Sequence, residues 1–250
     1  MSGHSHWATI RRKKGAADAK RGQVFTRLAR EIVLAARESG GDPDTNVRLA
    51  LAIDKARAQN MPKDNIERAI KRGTGDSKEG GTLEQVFYEG YAPHGVALMV
   101  ETVTDNRNRA VADIRHALTR HGGNMAEAGS VSWQFNRIVA FSFPLDDLDQ
   151  DTIFELAVEA GAEDVSFDEE VEITGPIESF KAISESLRRA KIHPDEAGMR
   201  LVPTNEIELS DEETLQVLKL VETLEEMDDI QNVYHNMRVS DAVWAQLEEA

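Results

Sequence analysis

The chain has 250 residues, 40% hydrophobic and 30% charged, which supplies two or three compact units and excludes an intrinsically disordered chain. It has no cysteine, so disulfides, thiolate catalysis and cysteine-based zinc sites are excluded, and no apolar run approaches the ~18 residues of a membrane span. The formal charge is −16, yet residues 1–30 hold eight Lys/Arg against one acid, Asp18, a local +7 that leaves −23 on the rest.

The basic end runs through Arg11-Arg12-Lys13-Lys14 to Lys20, Arg21, Arg27 and Arg30. It lacks the apolar core of a secretory signal. It is Arg-rich and acid-poor, as a mitochondrial presequence is, but a helix grows straight out of it. The arm is therefore expected to stay with the mature protein, in a reducing cytoplasm.

Periodicity predicts a helix over residues 16–38, with Phe25, Leu28, Ile32, Ala35 and Ala36 as one apolar stripe. Arg27, Arg30 and Arg37 fall roughly opposite, so their guanidinium groups are expected to face solvent. Ser39-Gly40-Gly41-Asp42-Pro43 stops the helix. A second helix is expected over about 45–59 and a third from Pro62 to Gly73, followed by a linker from Gly73 to Gly81. The period then changes. Val86–Tyr91 and Val96–Val100 read as strands around a Pro93-His94-Gly95 turn, a helix covers about 107–121, and Val131–Phe135 is read as a strand.

Residues 136–203 read as β-α-β-β-α-β, the split-βαβ, ferredoxin-like order: strands at 136–143, 164–167 and 170–174, helices at 152–160 and 176–191, and a strand opening near Met199. That last strand is expected to run to Leu209. Ser210 and Glu213 form a capping box for a helix over 211–227, and Ile230–Tyr234 is a final strand. The expected fold is α+β in three domains. These are a basic helical domain (1–80), a middle α+β domain (82–135 plus 204–240), and a ferredoxin-like α+β domain (136–203) inserted into the middle one.

Chemistry is sparse. His94, His116, His121, His193 and His235 show no metal-ligand spacing, and there is no nucleophile elbow and no Walker lysine, so no catalysis, metal or cofactor is expected. Asp42-Pro43-Asp44-Thr45-Asn46 opens like a calcium loop, but Val47 stands where glycine is needed and Ile53 where glutamate is; it reads as a helix-capping turn. Ser2-Gly3-His4 would be a copper or nickel chelate if Met1 were removed, against the plainer reading of an exposed terminal histidine. Acidic runs at 146–151, 168–170 and 225–229 read as solvated loops and caps, or as a docking surface for a basic protein. Asn106-Arg107-Asn108-Arg109 starts a helix and reads equally as a phosphate site or a polar cap. The basic arm, with Trp7 and Phe25 nearby, offers phosphate contacts and base stacking. An acidic body repels phosphate, so contact with nucleic acid is expected through the arm and its helix rather than over the whole surface.

The residues also carry a resemblance. Gly3-His4-Ser5 with Trp7, Lys13-Lys14, Asp18, Arg21 and Phe25 is similar to the start of the YebC/PmpR family, which includes the mitochondrial translational activator of cytochrome c oxidase. It continues through Gly40-Gly41-Asp42-Pro43, Asn60-Met61-Pro62, Tyr88-Glu89-Gly90-Tyr91, Thr104 to Arg109, Gly122-Gly123, Ser130-Val131, Ala160 to Val165, and Asp228-Asp229 to Tyr234. The resemblance implies a three-domain α+β protein without enzyme activity. Family members are labelled DNA-binding transcriptional regulators, and a second family role is ribosome association that relieves stalling on proline runs. By position it implies nucleic-acid contacts at Arg11, Arg12, Lys13, Lys14, Lys20, Arg21, Arg27 and Arg30, then Arg107 and Arg109. Two positions depart from the pattern: His6 stands where a lysine is usual, and Ala110 where a threonine is usual.

Three functions compete. The first is a cytoplasmic nucleic-acid-binding regulator of gene expression, acting on DNA or on ribosomal RNA. No helix-turn-helix is evident, and Arg and Lys without a base-reading pattern suit backbone contact. The second is a protein-binding adaptor that uses the acidic α+β domains. The third, an unrecognised hydrolase, has the least behind it. No membrane and no small-molecule substrate is expected.

Overall fold

The computed structural model describes residues 18–76, 83–146, 148–168 and 170–249. Helix α1 covers Asp18–Ser39, α2 Val47–Ala58 and α3 Lys63–Thr74. By contacts the chain divides into two compact units, one built from residues 1–30, 80–136 and 202–250, the other from 31–79 and 137–201.

In the first unit, strands β1 (Glu84–Tyr91), β2 (Ala97–Thr104), β3 (Asn124–Met125) and β9 (Ile230–His235) form an antiparallel sheet in the order β3-β1-β2-β9. The β1–β2 hairpin turns on His94 and Gly95, at φ +63° and +79°; glycine takes that region freely and histidine less so. Leu98, Val100 and Val233 pack against Ile114 and Leu118 of α4 (Arg107–Arg120) and Val217, Val221 and Leu224 of α7 (Asp211–Glu225). The sheet therefore closes across more than a hundred residues of sequence, because β2 pairs with β9. Ser210 and Glu213 form the expected reciprocal cap on α7. A short parallel pair, β8 (Ile207–Glu208) with β10 (Met237–Arg238), and a final helix α8 (Asp241–Glu249) complete the unit.

In the second unit, β4 (Phe135–Phe143), β5 (Asp164–Phe167), β6 (Val171–Gly175) and β7 (Glu196–Pro203) form a sheet in the order β5-β6-β4-β7. β6 is antiparallel to both β4 and β5. With α5 (Gln150–Glu159) and α6 (Phe180–Arg189) this is the ferredoxin-like arrangement. Phe141, Phe143, Ile153, Ile173, Ile183 and Leu187 form its core, and Phe141 stacks on Phe180 at 5.3 Å.

The helical part of this unit is held where α1 ends. The Asn46 side chain accepts the Leu49 amide, capping α2, and donates to the carbonyls of Ala35 and Gly40, both at 2.8 Å. Asp42 accepts the Asp44 amide at 3.0 Å, so 42–46 is the capping turn that the sequence suggests. Gly73 lies where a Cβ would stand 2.6 Å from both the Val33 carbonyl and the Ala36 Cβ, so α3 crosses α1 at glycine distance.

Four local expectations change. Ile32 to Ala36 are all buried, so α1 is enclosed on every side there and the one-sided stripe widens to include Val33 and Leu34. Residues 132–134 form a 3₁₀ turn rather than a strand, because the backbone of 129–132 is gathered around the Glu89 carboxylate. The helix expected over 176–191 begins as a 3₁₀ turn at Ile177–Ser179 before α6. The strand expected to run to Leu209 breaks after Pro203, where Thr204 turns to bond the Gln134 carbonyl.

Candidate nucleic-acid interface

The ten basic residues that the sequence singles out fall into three groups. Arg11, Arg12, Lys13 and Lys14 lie outside the described residues, and Lys20 and Arg21 are described only as backbone in the first turn of α1. Arg27 and Arg30 belong to α1 and Arg107 and Arg109 to α4; all four have described partners.

Helix α1 presents Gln23, Arg27 and Arg30 along one side, at the i, i+4, i+7 spacing of a single face. All three donate to the carboxyl end of α7 and the turn after it. Gln23 Nε2 donates to the Glu226 carbonyl at 3.0 Å, Arg27 to the Glu225 carbonyl and Arg30 to the Asp228 carbonyl. The last carbonyls of a helix have no partner within it and carry the negative end of its dipole. α7 has no basic residue in its own last turn. The arginines of α1 supply that cation from elsewhere in the chain. The expectation that Arg27 and Arg30 face solvent is corrected accordingly: the Arg30 side chain is 13% exposed. Arg37 is exposed.

Asp229 follows that turn and is the centre of a second set of contacts. Its carboxylate, 8% exposed, accepts Arg30 at 2.8 Å, Arg109 at 2.8 Å and the Thr104 hydroxyl at 3.1 Å. Arg109 also donates to Asp105 at 3.1 Å, and its hydrogen bonds and attraction to Asp229 hold its guanidinium pKa above the usual value. The amino end of α4 is capped by Asn106, whose side chain accepts the Arg109 amide, while Arg107 pairs with Glu84. At this helix start the anion beside Arg109 is the chain's own carboxylate. The acidic run at 225–229, read as a solvated loop, is corrected at Asp229: the residue is buried because two arginines and a hydroxyl converge on it.

Other groups were not legible from spacing. Glu89 on β1 accepts the amides of Gly129, Val131 and Ser132 at 2.7, 2.6 and 3.1 Å. Burial alone would raise its pKa, but the three N–H donors bring the net shift below the ordinary carboxylate value. The loop so gathered carries Trp133, 70% exposed. Glu101, also buried, accepts Gln85, Asn232 and Tyr234. On α3, Arg68 and Lys71 are exposed cations without an ion pair among the described residues.

The histidines are dispersed. His94 touches Gln216 and Glu213 of α7. His235 is fully buried, which drives its pKa down to about 4 and keeps it neutral. Among the described residues no group of three or more His, Cys, Asp or Glu is arranged to hold a metal ion, and no helix is long and apolar enough to cross a membrane.

Two family models match most of the chain. The TACO1/YebC protein N-terminal domain matches residues 5–76, and the TACO1/YebC second and third domain matches residues 83–237. A "probable transcriptional regulatory protein" of Chlorobaculum parvum is 49% identical over 251 residues, 100% of both chains. Another of that name, from Acidithiobacillus ferrooxidans, is 51% identical over 249 residues, 99% of each. The fold is similar to the crystal structure of a conserved hypothetical protein from Aquifex aeolicus, at 42% identity and a TM-score of 0.79 over 90% of this chain and 93% of that one.

Proposed function

The chain belongs to the TACO1/YebC family, and we propose that it is a non-enzymatic regulator of gene expression that binds nucleic acid in the cytoplasm through its basic amino-terminal end. The observation that carries this reading is the charge asymmetry, +7 over residues 1–30 against −23 on the remainder. A surface of that net charge repels phosphate, so binding must concentrate at the basic end. The names of relatives support a transcriptional setting. Arg11, Arg12, Lys13, Lys14, Lys20 and Arg21 are the principal phosphate contacts. Arg27, Arg30, Arg107 and Arg109 bind phosphate only with donors left over from Glu225, Asp228, Asp229, Glu84 and Asp105, and so contribute less.

A second reading, contact with ribosomal RNA by a translation factor, is favoured by one observation. The described face of α1 that carries Gln23, Arg27 and Arg30 is engaged within the chain and does not present them as a base-reading row. What remains is cationic and suits backbone contact. Co-sedimentation with ribosomes and a duplex-DNA gel shift, run on wild type and an Arg11/Arg12/Lys13/Lys14→Ala variant, separate the two. Loss of ribosome binding alone assigns translation; loss of DNA binding alone assigns transcription. Neither loss overturns the proposed contact.

A further inference from the structure

We propose that Trp133 is a stacking platform for an unpaired nucleobase, a second contact that adds to the phosphate-binding end. The inference rests on the nucleic-acid reading above.

Trp133 is 70% exposed, more than any other large hydrophobic side chain among the described residues. Exposed aromatics on loose loops are common and mean little; this one is held from both sides. Before it, Glu89 Oε1 accepts the Gly129 amide, and Oε2 accepts those of Val131 and Ser132. Gly129 sits at φ +89°, a left-handed conformation that glycine takes without strain and that brings these amides round to one carboxylate. Val131 is fully buried, and the Tyr91 hydroxyl donates to the Ser130 carbonyl at 3.3 Å. After it, the Gln134 carbonyl accepts both the amide and the hydroxyl of Thr204, at 2.8 and 3.1 Å, and the Gln134 side chain accepts Asn236 at 3.0 Å. The indole is fixed in turn, because its Nε1–H donates to the Ser130 carbonyl at 2.9 Å.

That last bond determines what the ring offers. Its one polar group is already satisfied, so recognition is left to the flat π-face. Stacking on a base needs a face and nothing else, and it tolerates any base. An indole held rigid beforehand loses little freedom on binding.

The surroundings favour a base over a protein. An aromatic hot spot in a protein interface sits inside a patch whose rim excludes water. Trp133 stands alone: within its unit no other described large hydrophobic is comparably exposed. Of its sequence neighbours, Val131 and Phe135 are buried, which leaves the polar Ser130, Ser132, Gln134 and Asn136 beside the ring, groups that suit the hydrogen-bonding edges of a base. Residues 18–30 of the basic helix belong to the same unit.

The test uses the full chain and a single-stranded oligouridylate, with a duplex of equal length as control. A Trp7→Phe/Trp244→Phe background leaves Trp133 as the only tryptophan, since the chain has three. The oligouridylate is expected to quench its fluorescence. Trp133→Ala is expected to weaken single-strand binding by about 5- to 150-fold, the range a lost base–aromatic stack removes, with Trp133→Phe retaining most of it. The slope of log K against log salt stays unchanged in Trp133→Ala, because no cation is lost. Unaltered affinity with no quenching overturns the platform while leaving the basic end as the binding site. A Trp133→Ala variant that binds oligouridylate normally but no longer joins ribosomes also overturns it, in favour of a protein contact. Wild type that binds neither nucleic acid overturns both readings.

Discussion

Arg30 donates to Asp229 at 2.8 Å, joining the first described helix to the turn that precedes β9 of the β3-β1-β2-β9 sheet. The same carboxylate holds Arg109 and the Thr104 hydroxyl, so one buried anion gathers α1, β2 and α4. Its removal leaves Arg30 in a largely closed site with no counter-charge.

Asp229→Asn is therefore expected to destabilise the protein by about 2–3 kcal/mol. That is below the full cost of orphaning a buried charge, because Arg109 is half exposed and keeps Asp105. Urea unfolding checks it. An Arg30→Met/Asp229→Asn pair should recover part of the loss.

Glu89→Gln removes the charge that faces three amides. One amide oxygen cannot replace two carboxylate oxygens, so about 1–3 kcal/mol is expected to be lost, and the Trp133 loop to loosen. The pH dependence has a definite sign. The folded pKa lies below the ordinary 4.5, so the stabilisation is present above that value and is lost as pH falls through the folded pKa. Thermal unfolding of wild type should show this acid-side loss, and Glu89→Gln should lack it.

His235 behaves in the same direction for a different reason. Burial lowers its pKa from 6.5 to about 4, so the unfolded chain takes up a proton first. Stability should be full above pH 6.5 and fall by about 3 kcal/mol as pH is lowered towards 4. A variant with a neutral, uncharged residue at 235 should be flatter across that window in pH-dependent chemical unfolding.

Gly73→Ala places a methyl group 2.6 Å from the Val33 carbonyl and the Ala36 Cβ. Backbone cannot move aside cheaply there, so a loss of about 1–3 kcal/mol is expected, read as a lower Tm.

Much of the fold was legible because periodicity and caps are local. The Ser210–Glu213 box, the 42–46 turn and the β-α-β-β-α-β order each follow from neighbouring residues. What escaped is what the chain brings together from afar. Asp229 looked like part of a solvated acidic run because nothing near it in sequence announces Arg30 or Arg109. Arg27 and Arg30 looked exposed because a helical wheel shows only a helix's own stripe, and their partners are carbonyl groups that no residue letter records. Strand character was expected at 131–135 from Val131 and Phe135, but Glu89, forty residues earlier, bends that backbone into a turn. Of the candidate site, the cationic arm is fully visible in composition, whereas a pinned Trp133 is visible only once Glu89, Thr204 and Asn236 are in place.

The central claim, that the basic amino-terminal end makes the phosphate contact, is tested most directly by the salt dependence of binding to ribosomes or duplex DNA. Wild type should give a slope of log K against log salt of roughly −3 to −5, as expected if about 4–6 phosphates are neutralised, and Arg11/Arg12/Lys13/Lys14→Ala should flatten it. A wild-type slope near zero, or a slope unchanged in the variant, would contradict it.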